Sequence, residues 1–278
     1  MRWVLLALLV VGCGGHGADT IVVGSKNFTE QRILGELLAQ TVESVGLRAE
    51  RKLDLGGTFV CDAALRQGGL DVYVEYTGTA LTAVLKEPAD GDPKRVFDRV
   101  AAAYRTADLE WLPPLGFDNT FAMVVRPDEA TTTLSEATAP ARQWRAGFGY
   151  EFQTRPDGYP ALQRVYGLRF ADIRTMDLGL LYRALGDRQI DVAAGSVTDG
   201  LIEVMGLRVL SDDRHAFPPY EAAPVARADA LTRHPGLREA LMGLRGTLTA
   251  ADMRRLNAAV DGDHRDLATM VRDWRERR

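Results

Sequence analysis

The sequence predicts an α/β protein of two lobes. Strand and helix patterns alternate as βαβαβα from Ile21 to the helix that follows Thr79. A second series of the same kind opens at the apolar run Phe121-Ala122-Met123-Val124-Val125. Three helical segments then close the chain and return to the first lobe. Alternation of this kind implies mainly parallel sheets with helices on both faces.

Each element has a local cause. Ile21-Val22-Val23-Gly24 is a short, fully apolar strand. Asn27 is placed to cap the next helix, with Glu30 as its capping-box partner. Ile33, Leu34, Leu37, Leu38, Val42 and Val45 fall on one helical face, and Gly46 ends the helix. Residues 48–55 alternate as a strand. Gly56-Gly57 and Gly68-Gly69 bracket a helix that runs to about Gln67. Residues 70–76 make the next strand, and Thr77-Gly78-Thr79 turns into another helix.

In the second series, 159–166 and 178–185 pattern as helices, 190–194 as a strand and 131–141 as a loop. Phe217-Pro218-Pro219-Tyr220 is a stiff connector into a strand at 223–228. Helices follow at 235–244, 250–260 and 265–277, with Thr249 and Asp263 as N-caps. The division is lobe 1 at 20–118 plus 221–278 and lobe 2 at 119–220. Hinge segments are expected near 118–120 and 217–220. A cleft between two such lobes is a common place for a small-molecule site.

The N-terminus carries its own signal. Arg2 precedes an apolar stretch from Trp3 to Val11 that is far shorter than the roughly 20 residues a membrane span needs. It has the form of a cleavable leader. Val10-Val11-Gly12-Cys13 matches the lipobox pattern, so residues 1–13 are expected to end at an acylated Cys13. Residues 14–19, glycine-rich at first, would be the tether. An acylated Cys13 leaves Cys61 alone, without an internal disulfide partner, as a buried structural thiol.

Composition excludes several classes. At 46% hydrophobic and 26% charged, the chain is ordinary globular protein. A formal net charge of -4 gives no global basic footprint for nucleic acid. The four histidines, His16, His215, His234 and His264, form no metal-spaced pair. Phosphate-loop, dinucleotide and nucleophile-elbow motifs are absent. Neither a cofactor, a metal nor an enzymatic reaction is expected.

Seven segments, in order, carry a family likeness. They are Val23-Gly24-Ser25-Lys26-Asn27-Phe28-Thr29-Glu30-Gln31, Leu55-Gly56-Gly57-Thr58, Asp71-Val72-Tyr73-Val74-Glu75-Tyr76-Thr77-Gly78-Thr79, Gly116-Phe117-Asp118-Asn119-Thr120-Phe121-Ala122, Arg155-Pro156-Asp157-Gly158-Tyr159-Pro160, Thr198-Asp199-Gly200 and Phe217-Pro218-Pro219-Tyr220. The chain thereby resembles the substrate-binding proteins of osmoprotectant ABC importers, the glycine betaine/carnitine/choline type. The resemblance implies the two-lobed, type II-like periplasmic binding protein fold, with the ligand between the lobes. It implies a monomer outside the cytoplasm that delivers a quaternary amine or zwitterion to an inner-membrane ABC permease.

It also implies roles for residues. Tyr76, Tyr220 and Phe121 match positions that cage the methylated cation by cation–π contact. Lys26, Thr79 and Arg155 match the carboxylate side, and Asn119 a polar position beside the cage. The chain departs from the pattern before Thr198-Asp199-Gly200, where Ser196 stands in place of a fourth aromatic. A more open wall points to weaker binding or a bulkier ligand. Two alternatives share the fold: a solute sensor signalling to a membrane receptor, and a binder of a larger, non-betaine solute.

Overall fold

A computed structural model describes residues 19–277. The leader, Cys13 and most of the tether lie outside the described residues. The described residues form two five-stranded sheets flanked by helices.

The first sheet begins with β1 (Thr20–Gly24), whose five residues are all buried. Helix α1 (Thr29–Ser44) leads to β2 (Arg48–Lys52), and α2 (Thr58–Arg66) leads to β3 (Val72–Tyr76). Helix α3 (Thr77–Thr79) continues as a wider π-helical turn over Ala80–Val84. Helix α4 (Pro93–Arg105) and β4 (Leu109–Trp111) follow. The sheet order is β2-β1-β3-β10-β4, where β10 (Ala222–Arg227) returns from far along the chain. β1 pairs in parallel with β2 and β3, while β10 is antiparallel to β3 and β4. The sheet is therefore mixed, contrary to the mainly parallel expectation. The antiparallel strand arises because the chain re-enters from the other sheet rather than through a helical crossover.

The second sheet is built from β5 (Phe121–Val125), β6 (Arg145–Phe148), β7 (Asp172–Thr175), β8 (Val192–Ser196) and β9 (Arg208–Leu210). Its order is β7-β6-β8-β5-β9, again mixed, with β5 antiparallel to β8 and β9. Helices α5 (Tyr159–Tyr166), α6 (Leu178–Gly186) and α7 (Gly200–Val204) join its strands. The stretch expected as a loop at 131–141 holds short 3-10 turns at Glu136–Thr138 and Pro140–Gln143.

The chain passes twice between the sheets. The passes meet at an antiparallel bridge between Asp118 and Glu221. Asn119 N donates to Tyr220 O at 3.1 Å, and Tyr220 N donates to Asp118 Oδ2 at 2.9 Å.

After β10 come α8 (Ala228–Arg233), α9 (Pro235–Met242), α10 (Ala250–Asp261) and α11 (Leu267–Glu276). Helices α9, α10 and α11 pack on α1, and α10 also packs on α7. Gly200 permits that second contact, since a Cβ there would lie 2.2 Å from Ala258 N. Thr249 forms the capping box with Asp252. The cap of α11 is Asp266, not Asp263: its carboxylate accepts from Thr269 N at 2.9 Å.

The start of α1 also differs from expectation. Its N-cap is Phe28, which supplies no side-chain cap, and Asn27 lies outside the helix. Glu30 does not fold back on the backbone, because its carboxylate is held by side chains of the interior.

Candidate functional site

Each sheet ends in loops that face a shared cavity of about 730 Å³. Lys26, Tyr76, Thr79, Asn119, Phe121, Arg155, Ser196 and Tyr220 all line it. They come from the loop after β1, the end of β3, α3, the two inter-sheet passes, the start of β5, the loop before α5 and the end of β8. Chain segments distant in sequence thus converge because both sheets direct strand ends to one place.

The aromatic side is built around Phe121. Its ring lies 5.2 Å from Tyr220 and 4.9 Å from Phe152, both edge-on, and 5.6 Å from Phe217. Tyr76 stacks on Phe28 at 6.4 Å. Edge and offset contacts of this kind are the geometry aromatic clusters prefer.

The donor side is equally organised. The Arg155 side chain is almost fully buried and pairs with Asp157 at 2.6 Å. Its Nη2 also donates to Thr79 Oγ1 at 2.9 Å, and the guanidinium stands 5.1 Å over the Phe121 ring. Burial disfavours the charge on Asp157, yet Arg155 outweighs it and holds that carboxyl below the usual range. Tyr220 OH donates to Asp157 Oδ2 at 2.7 Å, so the same carboxylate orients a ring and a cation.

Lys26 sits just before α1, where the helix dipole disfavours a cation. The compensating anion is Glu75, whose Oε1 lies 2.6 Å from Lys26 Nζ. Lys26 Nζ also donates to Thr58 Oγ1 at 3.0 Å and lies 5.0 Å over the Tyr76 ring.

Ser196 ends β8 opposite Phe121 in the register. Its backbone N–H donates to Asp199 Oδ2 at 2.8 Å.

Sequence reasoning missed the group that ties the site together. Glu30 is 1% exposed and accepts from Tyr76 OH at 2.6 Å and Asn119 Nδ2 at 2.7 Å. It also meets the Thr198 hydroxyl, and Asn257 Nδ2 at 3.3 Å. These partners belong to β3, an inter-sheet pass, the loop before α7, and α10. Burial first, then the nearby Asp199 charge, raises the Glu30 carboxyl to about 7 against the pull of these hydrogen bonds. Asp199 is itself raised to about 6 by burial, although Tyr182 and Ser196 N donate to it. The one sequence signal for Glu30 was its place in the Phe-Thr-Glu string, and a helix cap absorbed it.

Among the described residues, no group of three or more His, Cys, Asp or Glu is placed to hold a metal ion. No described helix is long and apolar enough to cross a membrane.

Comparison with known proteins agrees with this architecture. The family described as the substrate binding domain of ABC-type glycine betaine transport systems matches residues 19–277. A carnitine transport binding protein of Listeria monocytogenes is 33% identical over 271 residues, covering 95% of this chain and 88% of its own. A glycine-betaine-binding protein of Pseudomonas aeruginosa is 34% identical over 278 residues, covering 92% and 89%. The crystal structure of a glycine betaine/carnitine/choline ABC transporter protein superposes with a TM-score of 0.76 at 30% identity, covering 92% of this chain and 98% of that one. A two-lobed α/β frame with its cavity between the sheets, matched along nearly its whole length, places this chain in the family of substrate-binding domains of ABC-type glycine betaine transport systems.

Proposed function

We propose that the protein captures a quaternary-ammonium osmoprotectant, such as glycine betaine, and delivers it to an ABC permease in the inner membrane. The observation that carries this reading is the convergence of Tyr76, Phe121 and Tyr220 with Lys26, Thr79 and Arg155 on one cavity. A methylated cation has no N–H to donate, so ring faces are its natural partners, each contact contributing about 0.5–2 kcal/mol. A carboxylate needs charged donors, and Arg155 and Lys26 each stand over a ring of the cage. Asn119 holds the polar edge beside the cage, and Ser196 leaves one side open.

In this reading the lobes are residues 20–118 with 221–278, and residues 119–220. They hinge near 118–120 and 217–220 and close on the ligand. Glu30 with Thr198, and Arg155 with Thr79, already join the two lobes here, and they are the contacts that opening would break. The permease senses the closed form. No bond is made or broken in the ligand. The mature protein is a monomer, held outside the cytoplasm by a lipid on Cys13.

Calorimetric titration of the purified protein with glycine betaine, proline betaine, choline and carnitine tests the reading. Saturable binding of at least one is expected. Absence of binding across the panel would refute it.

A further inference from the structure

Glu30, Asn119 and Thr198 meet between the two sheets with one hydrogen too few. All three are buried. Glu30 lies on α1, Asn119 on an inter-sheet pass and Thr198 on the loop before α7. Glu30 Oε1 accepts from Tyr76 OH at 2.6 Å and from Asn119 Nδ2 at 2.7 Å. Glu30 Oε2 and Asn119 Oδ1 both face the Thr198 hydroxyl, the second at 2.8 Å. A hydroxyl has one hydrogen, so one of these acceptors lacks a donor. Turning the Asn119 amide over only moves the shortage, because its oxygen then faces Glu30 Oε1. A proton on Glu30 Oε2 satisfies the group.

The shortage belongs to the junction rather than to either sheet. Asn257 Nδ2, on α10, reaches across at the same point to Thr198 O at 2.8 Å. When the lobes part, Glu30 loses Thr198 and gains water, which solvates an ionised carboxylate well. In the closed junction the same charge is buried among too few donors.

The charged groups near by do not supply the missing hydrogen. Arg32 Nη2 donates to Thr29 Oγ1 at 2.9 Å, and Thr29 donates to Asp261 of α10 at 2.6 Å, near His264. On β3, Glu75 is paired with Lys26, and burial keeps the Tyr76 phenol protonated. Asp118, beside Asn119, accepts from Tyr220 N and opposes the charge of Glu221. Asp199 accepts from Tyr182 OH and Ser196 N, and its charge opposes a second one on Glu30.

Resting on the reading above, in which the lobes close on the ligand, we propose that closure takes up a proton at Glu30, so that the protein holds its ligand more tightly in acidic than in alkaline medium. The proton comes from solvent and returns to it when the lobes open. The sign follows from linkage. The closed state binds the extra proton, so it is favoured at low pH. That advantage is lost as pH rises toward about 7, the value to which burial raises the Glu30 carboxyl.

Calorimetric titration with glycine betaine and with choline at pH 5, 6.5 and 8 tests this, since neither ligand changes its own protonation over that range. Binding at pH 8 should be weaker than at pH 5 by about 10- to 100-fold. At pH 6.5, titrations in phosphate and in bis-tris, which differ in ionisation enthalpy, should show uptake of up to about one proton per ligand. Glu30→Gln keeps this position neutral at every pH and should collapse the ratio; thermal unfolding of the unliganded variant checks its fold. Asp199, Asp118, Asp261 and Glu221 still titrate in the variant, so a ratio that survives unchanged belongs to them. That result, or a native ratio near unity without proton uptake, would overturn the proton coupling and leave osmoprotectant capture standing. Failure of both compounds and of the rest of the panel at every pH would overturn both.

Discussion

Replacing Glu30 by glutamine should abolish a specific part of the pH dependence of stability. The hydrogen-bond count explains why. The Thr198 hydroxyl has one hydrogen, yet it faces both Glu30 Oε2 and Asn119 Oδ1. A proton on Glu30 resolves the conflict: Glu30 donates to Thr198, and Thr198 donates to Asn119. The substituted glutamine would mimic that state at Tyr76, Asn119 and Thr198, its carbonyl accepting from the first two and its amide facing the third, while the 3.3 Å contact from Asn257 Nδ2 is lost at every pH. In the native protein the carboxyl is raised from 4.5 to about 7. The unfolded chain therefore loses this proton first as pH rises, and the folded state is penalised from pH about 4.5 up to about 7. The shift amounts to about 3 kcal/mol. Urea unfolding of both proteins from pH 5 to pH 8 measures it. The stability of Glu30→Gln minus that of the native protein should grow across this window, then level off. Asp199, Asp261, Asp118 and Glu221 are also raised by burial, but they titrate in both proteins and largely cancel. A difference that is flat with pH would refute the reasoning.

Further expectations concern other parts of the molecule. Asp157→Asn leaves buried Arg155 with only the longer pair to Glu151 at 3.9 Å and should cost about 3 kcal/mol in urea unfolding; a loss below about 1 kcal/mol would show that the pair is dispensable. Gly200→Ala drives a Cβ to within 2.2 Å of Ala258 N between α7 and α10. Overpacking of that kind costs about 1–3 kcal/mol, and an unchanged melting temperature would contradict it. Burial pushes the Cys61 thiol up to about 12. In a Cys13→Ser chain, a thiol reagent at pH 8 should therefore label Cys61 only after unfolding, and rapid labelling of the native protein would count against its burial.

Much of the frame was legible in the sequence because it rests on strong local patterns. β1, β3, β5 and β10 are runs of apolar residues, and α1 and α5 carry clear helical spacing. β4, β7 and β9 are only three or four residues long, mix charged with apolar side chains, and gave no period to detect. Strand direction was not legible at all, since β10 takes its antiparallel sense from where the chain returns. In the site, the seven strings marked residues that line the cavity. Glu30 and Tyr182 escaped for opposite reasons. Glu30 had a plausible local duty that the fold does not use. Tyr182 sits in an ordinary helix pattern, and only the packing of α6 against β8 brings it to the cavity.

The position of β10 bears on how the molecule is made. β10 lies between β3 and β4, yet the whole stretch 112–221 separates it from β4. In a chain synthesised from its N-terminus, β3 and β4 exist long before the strand that joins them. Until residue 222 arrives, each presents an unpaired edge, open to the wrong strand. Pairing over such a separation is slow. Tyr220 stands just ahead of β10, so the aromatic cluster around Phe121 is completed only as that last strand docks. A ligand present during folding would draw the equilibrium forward at this final step, by mass action alone.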